Sequence, residues 1–460
     1  MTDSLHGRDG GRIAPSYQEY LDHDSIPVPR VLREQSVRDF GAAPLDASRY
    51  TSQGFFELEA ERLWPRVWQM VCREEEIAEP GQTCVYDIAG RSFLVARCDD
   101  GSIKAFYNSC LHRGRKLMAE SGRVERFRCP FHGFTWDLSG CVHSVPCRWD
   151  FEHLSDEQLR LPEAVVGTWG GFVFINPDPK AMPLERYLEV LPEHFRRWRL
   201  EDCWKAAHVA HVVRCNWKVA MEAFMETYHV FATHPRVQPV VADTNSQYDV
   251  YGDHVNRNLV ALAAPSPYFA RGTISDAQLV DGVVELLGRR HSAGAREFPA
   301  GAKTARQALG AANRQKFAEA FGGDYSAVTD AETLDAIVYN VFPNFSPWGG
   351  FAPNVVYRWR PHGRDVGACV MDVMILKRLA AGATRPQPVP MRWLREDEPW
   401  SAAAELRSLG TLLDEDMEQL PLVQEGLLAS GTGEVHLGNY QEMRIRHFHR
   451  TLDKYRAGGR

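Results

Sequence analysis

The 460-residue chain carries 53 lysines and arginines against 60 aspartates and glutamates, a formal net charge of -7, with 44% hydrophobic residues. These are globular proportions for a chain long enough to bury a large core, and the acidic balance argues against a general nucleic-acid binder. No apolar run reaches the roughly 18 residues of a membrane span, and the polar, Gly-rich stretch Met1–Pro15 predicts no secretory signal. The expected compartment is therefore the cytoplasm, where the ten cysteines are thiols or metal ligands rather than a disulfide framework.

Residues 1–50 are polar and turn-rich and read as an N-terminal arm. Apolar residues at helical spacing predict a helix over 54–64, stopped by Pro65. From Cys84 the period shortens. Residues 84–89, 92–97 and 102–107 read as strands, separated by Ala89-Gly90 and Asp99-Asp100-Gly101; further strands are expected at 134–137 and 171–175. Residues 70–178 thus resemble a small all-β domain of hairpins. Beyond Pro183, residues 204–214 alternate like a long strand, 216–231 are helical in pattern, and 354–360 and 367–379 form a hairpin. Residues 380–398 read as a loop, and 401–428 as a helix bent at Pro421. This second unit is α+β, helices on an antiparallel sheet. The expected division is 1–50 (arm), 51–180 (β domain with its leading helix) and 181–460.

Two pairs of metal-ligating residues fall on adjacent hairpins: Cys110 with His112, and Cys129 with His132, with sixteen residues between His112 and Cys129. Two Cys and two His can hold zinc, or a [2Fe–2S] cluster with both thiolates on one iron and both imidazoles on the other. Zinc fingers usually pair Cys with Cys and His with His, whereas here each tip offers one of each. Gly114 and Gly133 allow the backbone to approach cluster sulfurs. The strings Cys-Leu-His-Arg-Gly and Cys-Pro-Phe-His-Gly-Phe-Thr-Trp resemble the Rieske signature.

A second constellation lies in 216–235. Glu226 and His229 are i, i+3 and share a helix face; His234 comes five residues later, before Pro235. Two imidazoles and a carboxylate on one face of iron form the triad of non-haem Fe(II) oxygenases, but the spacing alone is a weak signal. Asn216-Trp217-Lys218 followed by Glu226-x-x-His229-x(4)-His234 resembles the catalytic motif of Rieske non-haem iron oxygenases, the aromatic ring-hydroxylating α-subunit family. The resemblance implies a Rieske domain followed by a START-like catalytic domain. It makes His229 and His234 ligands of a mononuclear Fe(II), and Glu226 a catalytic bridge towards a Rieske histidine of a neighbouring subunit in a head-to-tail trimer. The third ligand should be a carboxylate far downstream, with Asp414, Glu415 and Asp416 as candidates; the resemblance assigns it to Asp416, within Glu415-Asp416 … Val423-Gln424-x-Gly426, with Asp414 next. It also implies O₂ as co-substrate, and electrons from NAD(P)H through a separate reductase or ferredoxin. The chain itself shows neither a Gly-x-Gly-x-x-Gly fingerprint nor a plant-type C-x(4)-C-x(2)-C run.

The expected reaction is hydroxylation or dihydroxylation of an aromatic or other hydrophobic substrate. The alternatives are oxygenation of a quaternary ammonium compound, resembling choline and carnitine monooxygenases, or O-/N-demethylation. Additional β subunits are compatible with the motifs, which imply no nucleic acid and no membrane. Other residues are assigned ordinary roles: His208 and His211 structural, Cys141 and Cys147 packing thiols, Tyr228 packing, and His447-Phe448-His449 a solvated basic surface. Phe345, Trp348 and Phe351, with Met221, Phe224, Met225 and Phe231, are candidates for lining a pocket or for ordinary core.

Overall fold

The structure, a computed structural model, describes residues 15–269, 272–286, 302–351 and 354–458. A seven-stranded antiparallel sheet runs in the spatial order Gln69–Arg73, Phe172–Asn176, Glu163–Trp169, Ile103–Tyr107, Arg91–Arg97, Gln82–Ile88 and Gly122–Arg123. Ala89 and Gly90 link two of its strands with φ of 47° and 80°, the left-handed pair that a tight hairpin requires. A separate three-stranded sheet joins Phe127–Arg128, Thr135–Trp136 and Val142–Ser144. Leu94, Phe106, Phe127, Phe134 and Trp136 form the core beneath it.

The second large sheet has eight strands, in the order Gln247–Tyr251, Val255–Val260, Ala336–Val341, Phe345–Pro347, Asn354–His362, Asp365–Arg378, Cys203–Val213 and Arg392–Trp393. All pairs are antiparallel except the last, where Val209 registers with Arg392 in parallel. The predicted hairpin of Asn354–His362 and Asp365–Arg378 is present, with Tyr357 opposite Val373.

The two large sheets share one core. Phe345 of the second packs edge-on against Phe172 and Phe174 of the first, so it is interdomain core rather than pocket lining. Arg358, fully buried, donates to the carbonyls of Met70 (3.0 Å) and Val71 (2.6 Å) and to Asp372 Oδ2 (3.0 Å). Asp372 also accepts from Arg360 (3.2 Å) and meets His208 Nε2 (3.0 Å), giving His208 its structural role. His211 contacts the Arg395 carbonyl at 2.8 Å.

From residue 15 the N-terminal segment lies against the body: Tyr17 donates to Asp335 (3.0 Å), Gln18 to Gln247 (2.7 Å) and the Ser36 amide to Asp249 (2.7 Å). Two expectations change. The helix expected over 401–428 begins at Ser408, after 3-10 turns and Arg407 at φ 53°, and it continues through Pro421. The other change concerns 443–456. This stretch is a helix whose Arg444, His447, Phe448 and His449 are buried, not a solvated surface. Its polar groups find partners inside: Arg444 Nε donates to Asn256 Oδ1 (2.6 Å), and His449 Nε2 meets Glu222 (2.7 Å) and Tyr50 (3.0 Å).

His447 carries a pH dependence. Burial, with minor contributions from His254 and Arg38, drives its pKa down to about 4, only partly opposed by the Gly252 carbonyl and Asp253. Between about pH 6.5, where the unfolded imidazole titrates, and the folded value, the unfolded chain binds the proton and the native chain does not, so stability falls as pH falls. The metal-free protein should lose about 2 kcal/mol from this residue by pH 5. Denaturant midpoints at pH 7 and pH 5 measure it, and His447→Gln should flatten the difference; an unchanged slope in that variant refutes the assignment.

Candidate metal and active site

The first two hairpin tips repeat one backbone design. The Cys110 amide donates to the Arg115 carbonyl (2.9 Å) and the Gly114 amide to the Cys110 carbonyl (2.8 Å); the Cys129 amide donates to Phe134 (2.8 Å) and the Gly133 amide to Cys129 (2.9 Å). Gly114 and Gly133 close these turns at φ of 75° and 82°. The tips bring the rings of His112 and His132 to 4.6 Å between centroids, and the two thiols into contact. Cys110 and Cys129 are buried and His132 is exposed. Phe134 stacks on His112 at 4.9 Å with 6° between the planes, fixing that ring. Burial pushes the Cys129 thiol up, but the amides of Phe131 and His132 and the neighbouring Cys110 outweigh it and hold it below its ordinary value. Amides aimed at a sulfur are the surroundings a metal-bound thiolate needs. The buried His112 Nδ1 has no protein partner, an orphaned atom that a metal ligand would satisfy. The four residues therefore fit a [2Fe–2S] cluster of mixed Cys and His ligation.

Cys141 and Cys147 lie nearby but outside this set. Arg160 donates to Cys141 Sγ (2.7 Å). Cys147 is exposed at φ 53°, so it is not the packing thiol expected from sequence.

The second site is built from opposite ends of the catalytic unit. The helix expected over 216–231 is interrupted: Trp217–Glu222 is helical, a turn follows, and Val230–Thr233 resumes it. Asn216 caps the first piece, its Oδ1 accepting from the Lys218 amide (3.0 Å), while Lys218 and Trp217 donate to Glu59 (2.7 and 3.2 Å) in the helix Gln53–Arg62. Lys218 and Glu59 are both fully buried, so the Asn-Trp-Lys motif serves to anchor this segment.

In the turn, Glu226 accepts from the His229 amide (2.9 Å) and holds His229 Nδ1 (2.7 Å). His234 ends the second piece and faces the helix Ser408–Leu428, where Glu415 holds its Nδ1 (2.7 Å) and Asp416 Oδ1 lies 3.0 Å from its Nε2. Arg236 in turn donates to Glu415 (2.9 Å). His229 Nε2 is 3.7 Å from the same Asp416 oxygen. The ligand atoms of His229, His234 and Asp416 all lie within 4.8 Å of one another, the one such group among the described residues. Each imidazole thus turns Nε2 inward while a carboxylate fixes its Nδ1, the arrangement that orients metal-bound histidines. Burial lowers the proton affinity of both rings, but Glu226 and Asp416 around His229, and Asp416 and Glu415 around His234, raise it above the ordinary value. Two imidazoles and one carboxylate on one side fit a mononuclear iron centre. Asp414, the other candidate, caps the Trp400 amide instead (2.6 Å).

Glu59 is given no role by the sequence, and Glu415, a candidate third ligand there, instead holds His234 Nδ1; the partners of both carboxylates lie far along the chain. Gln424 also ties the two halves, accepting from the Asn216 amide (2.8 Å). Beside Asp416, Tyr357 feels burial and then the carboxylate, both raising its phenol. Phe224 (4.9 Å), Trp359 (5.6 Å) and Trp348 (6.1 Å) surround its ring. Met221 and Met225 are buried. Phe351 packs towards Phe317 and Tyr325, whereas Phe231 and Tyr228 are exposed, so Tyr228 has no packing role.

Comparison with known proteins bears on the two units that carry these residues. Residues 67–154 match the Rieske [2Fe-2S] domain, and residues 193–458 match the ring hydroxylating alpha subunit catalytic domain. The chain belongs to the ring-hydroxylating α-subunit family of Rieske oxygenases. Similar proteins include the carnitine monooxygenase oxygenase subunit of Acinetobacter baumannii, 31% identical over 40% of this chain and 51% of that protein. Another is the chlorobenzene dioxygenase alpha subunit of a Cupriavidus species, 31% identical over 43% of this chain and 46% of that protein. The chain spans about half the length of these curated relatives. Its fold resembles that of a quaternary ammonium Rieske monooxygenase crystallised with L-carnitine, with a TM-score of 0.63 at 19% identity over 91% of this chain and 97% of that one. Among the described residues, no helix is long and apolar enough to cross a membrane.

Proposed function

We propose that this chain is the terminal oxygenase of a multicomponent Rieske system, acting in the cytoplasm on a hydrophobic organic substrate. The observation that carries the reading is the convergence of His229, His234 and Asp416, each imidazole braced by its own carboxylate. Residues 1–50 are the arm, 51–180 the cluster-bearing unit and 181–460 the catalytic unit. Cys110, His112, Cys129 and His132 are the cluster ligands; His229, His234 and Asp416 hold the mononuclear iron. When bound, these centres supply single electrons and a site for O₂ activation.

The protein's own groups set the conditions for that chemistry. Glu226 fixes the His229 ring, and the neighbouring Tyr228 is exposed, so this turn lies near the surface that a neighbouring copy can reach. His132 is the exposed imidazole of its pair, the one a neighbouring copy can reach. Leu111, Phe131 and Trp149 around the cluster tips are exposed apolar side chains, which favours burial between copies, and a homotrimer is the assembly proposed. Tyr357 lies beside Asp416, and Phe224, Trp348 and Trp359 pack about its ring; an aromatic wall on that side of the iron site favours an apolar substrate. The same wall supports a second reading, a quaternary ammonium substrate held by cation–π contact. A panel of arenes and trimethylammonium compounds, scored by O₂ uptake coupled to product, separates the two.

Glu226→Gln tests the bridging role. The amide still reaches His229 but no longer carries charge. Both metals should remain bound while electron transfer between them slows by about 10²-fold, read as single-turnover product formation from the pre-reduced protein. Loss of the mononuclear iron in this variant would make Glu226 a ligand instead.

A further inference from the structure

The segment between the two cluster tips, residues 113–128, holds six basic side chains and two acidic ones, Glu120 and Glu125, in a chain whose net charge is -7. All six (Arg113, Arg115, Lys116, Arg123, Arg126, Arg128) are exposed. Lys116 pairs with Asp87, and Arg113 lies over the Phe131 ring. Among the described residues, Arg123, Arg126 and Arg128 make no ion pair. A groove of about 650 Å³ opens here, with Arg126, Arg128 and His143 on its walls, together with Glu125. Gly133 and Thr135 of the second cluster tip also line it. A Cβ on Gly133 would come within 3.6 Å of the Arg128 guanidinium, so the groove abuts the loop that carries Cys129 and His132. The exposed apolar residues Leu111, Phe131 and Trp149 are not part of its lining.

We infer that this basic groove is the docking surface for the acidic face of a separate one-electron carrier protein. The inference rests on the cluster assignment above, since a carrier needs a redox centre at the end of the groove. Like-signed arginines kept together without partners cost self-repulsion that an acidic partner relieves, and such a field steers encounter. The chain shows no nucleotide-binding fingerprint of its own, so electrons must arrive across a protein surface. The groove combines complementary charge with contact to the cluster loop.

The test is stopped-flow reduction of the cluster-loaded, full-length protein by a reduced plant-type [2Fe–2S] ferredoxin, at about 50 mM and about 500 mM salt. The wild-type rate constant should fall steeply with salt. R126E, which reverses one charge of the groove wall without touching a cluster ligand, should lower it several-fold at low salt, with little difference at high salt. Reduction of the variant by dithionite should be unchanged, which separates docking from damage to the cluster. A wild-type rate indifferent to salt, or a variant reduced by ferredoxin as fast as wild type, overturns the inference. So does loss of oligomer in the variant, which would make the groove an interface between copies. Absence of cluster absorption in the wild type would instead refute the cluster assignment.

Discussion

Asp416→Ala should abolish turnover, by about 10³-fold or more, while leaving the visible absorption of the cluster intact. Asp416 is buried on the helix Ser408–Leu428, with one oxygen facing His234 Nε2 at 3.0 Å and His229 Nε2 at 3.7 Å. Removing it leaves two imidazoles and no anionic ligand, so iron at this site is lost or exchanges freely. The cluster residues lie in a different sheet and over a separate core, out of reach of this change. Glu415→Gln should act more mildly, about 10- to 100-fold, because Glu415 only orients His234 through Nδ1. Iron analysis beside turnover distinguishes the two variants. Turnover that survives in Asp416→Ala would show the third ligand to be elsewhere.

Asp372→Ala should be the most destabilising single change away from the metal sites, costing about 3–5 kcal/mol. Asp372 is fully buried and receives Arg358 and Arg360 besides His208. The arginines hold its carboxyl well below the usual range against the opposing effect of burial. Its loss strands the buried Arg358 guanidinium. That group also ties the second sheet to the Met70 and Val71 carbonyls of the first. The expected result is a lower denaturant midpoint with the relation of the two sheets loosened; a loss below about 1 kcal/mol would mean that water or a neighbouring carboxylate replaces Asp372.

Short-range chemistry was legible in the sequence. Cys110 with His112 and Cys129 with His132 are pairs that a tight loop brings together, and the i, i+3 spacing of Glu226 and His229 survives although the helix breaks. The break itself was hidden, because the Glu226 side chain caps the His229 amide, a local contact that apolar periodicity does not register. Asp416 lies 182 residues from His234, and only the family resemblance pointed to it. The C-terminal helix was misread for a physical reason. Arg444, His447 and His449 look like solvated surface by composition, but Asn256, Glu222 and Tyr50 give them polar partners in the interior. The strand Val255–Val260 was missed on similar grounds, since Asn256, Arg257 and Asn258 are polar yet buried.

The most direct measurement is iron and acid-labile sulfide per chain in the purified, fully loaded protein, read beside its absorption spectrum. The expected content is about three iron atoms and two sulfides, two irons in the cluster and one at His229, His234 and Asp416. Two irons and two sulfides in wild type, unchanged in Asp416→Ala, would contradict the mononuclear site and leave the chain an electron carrier.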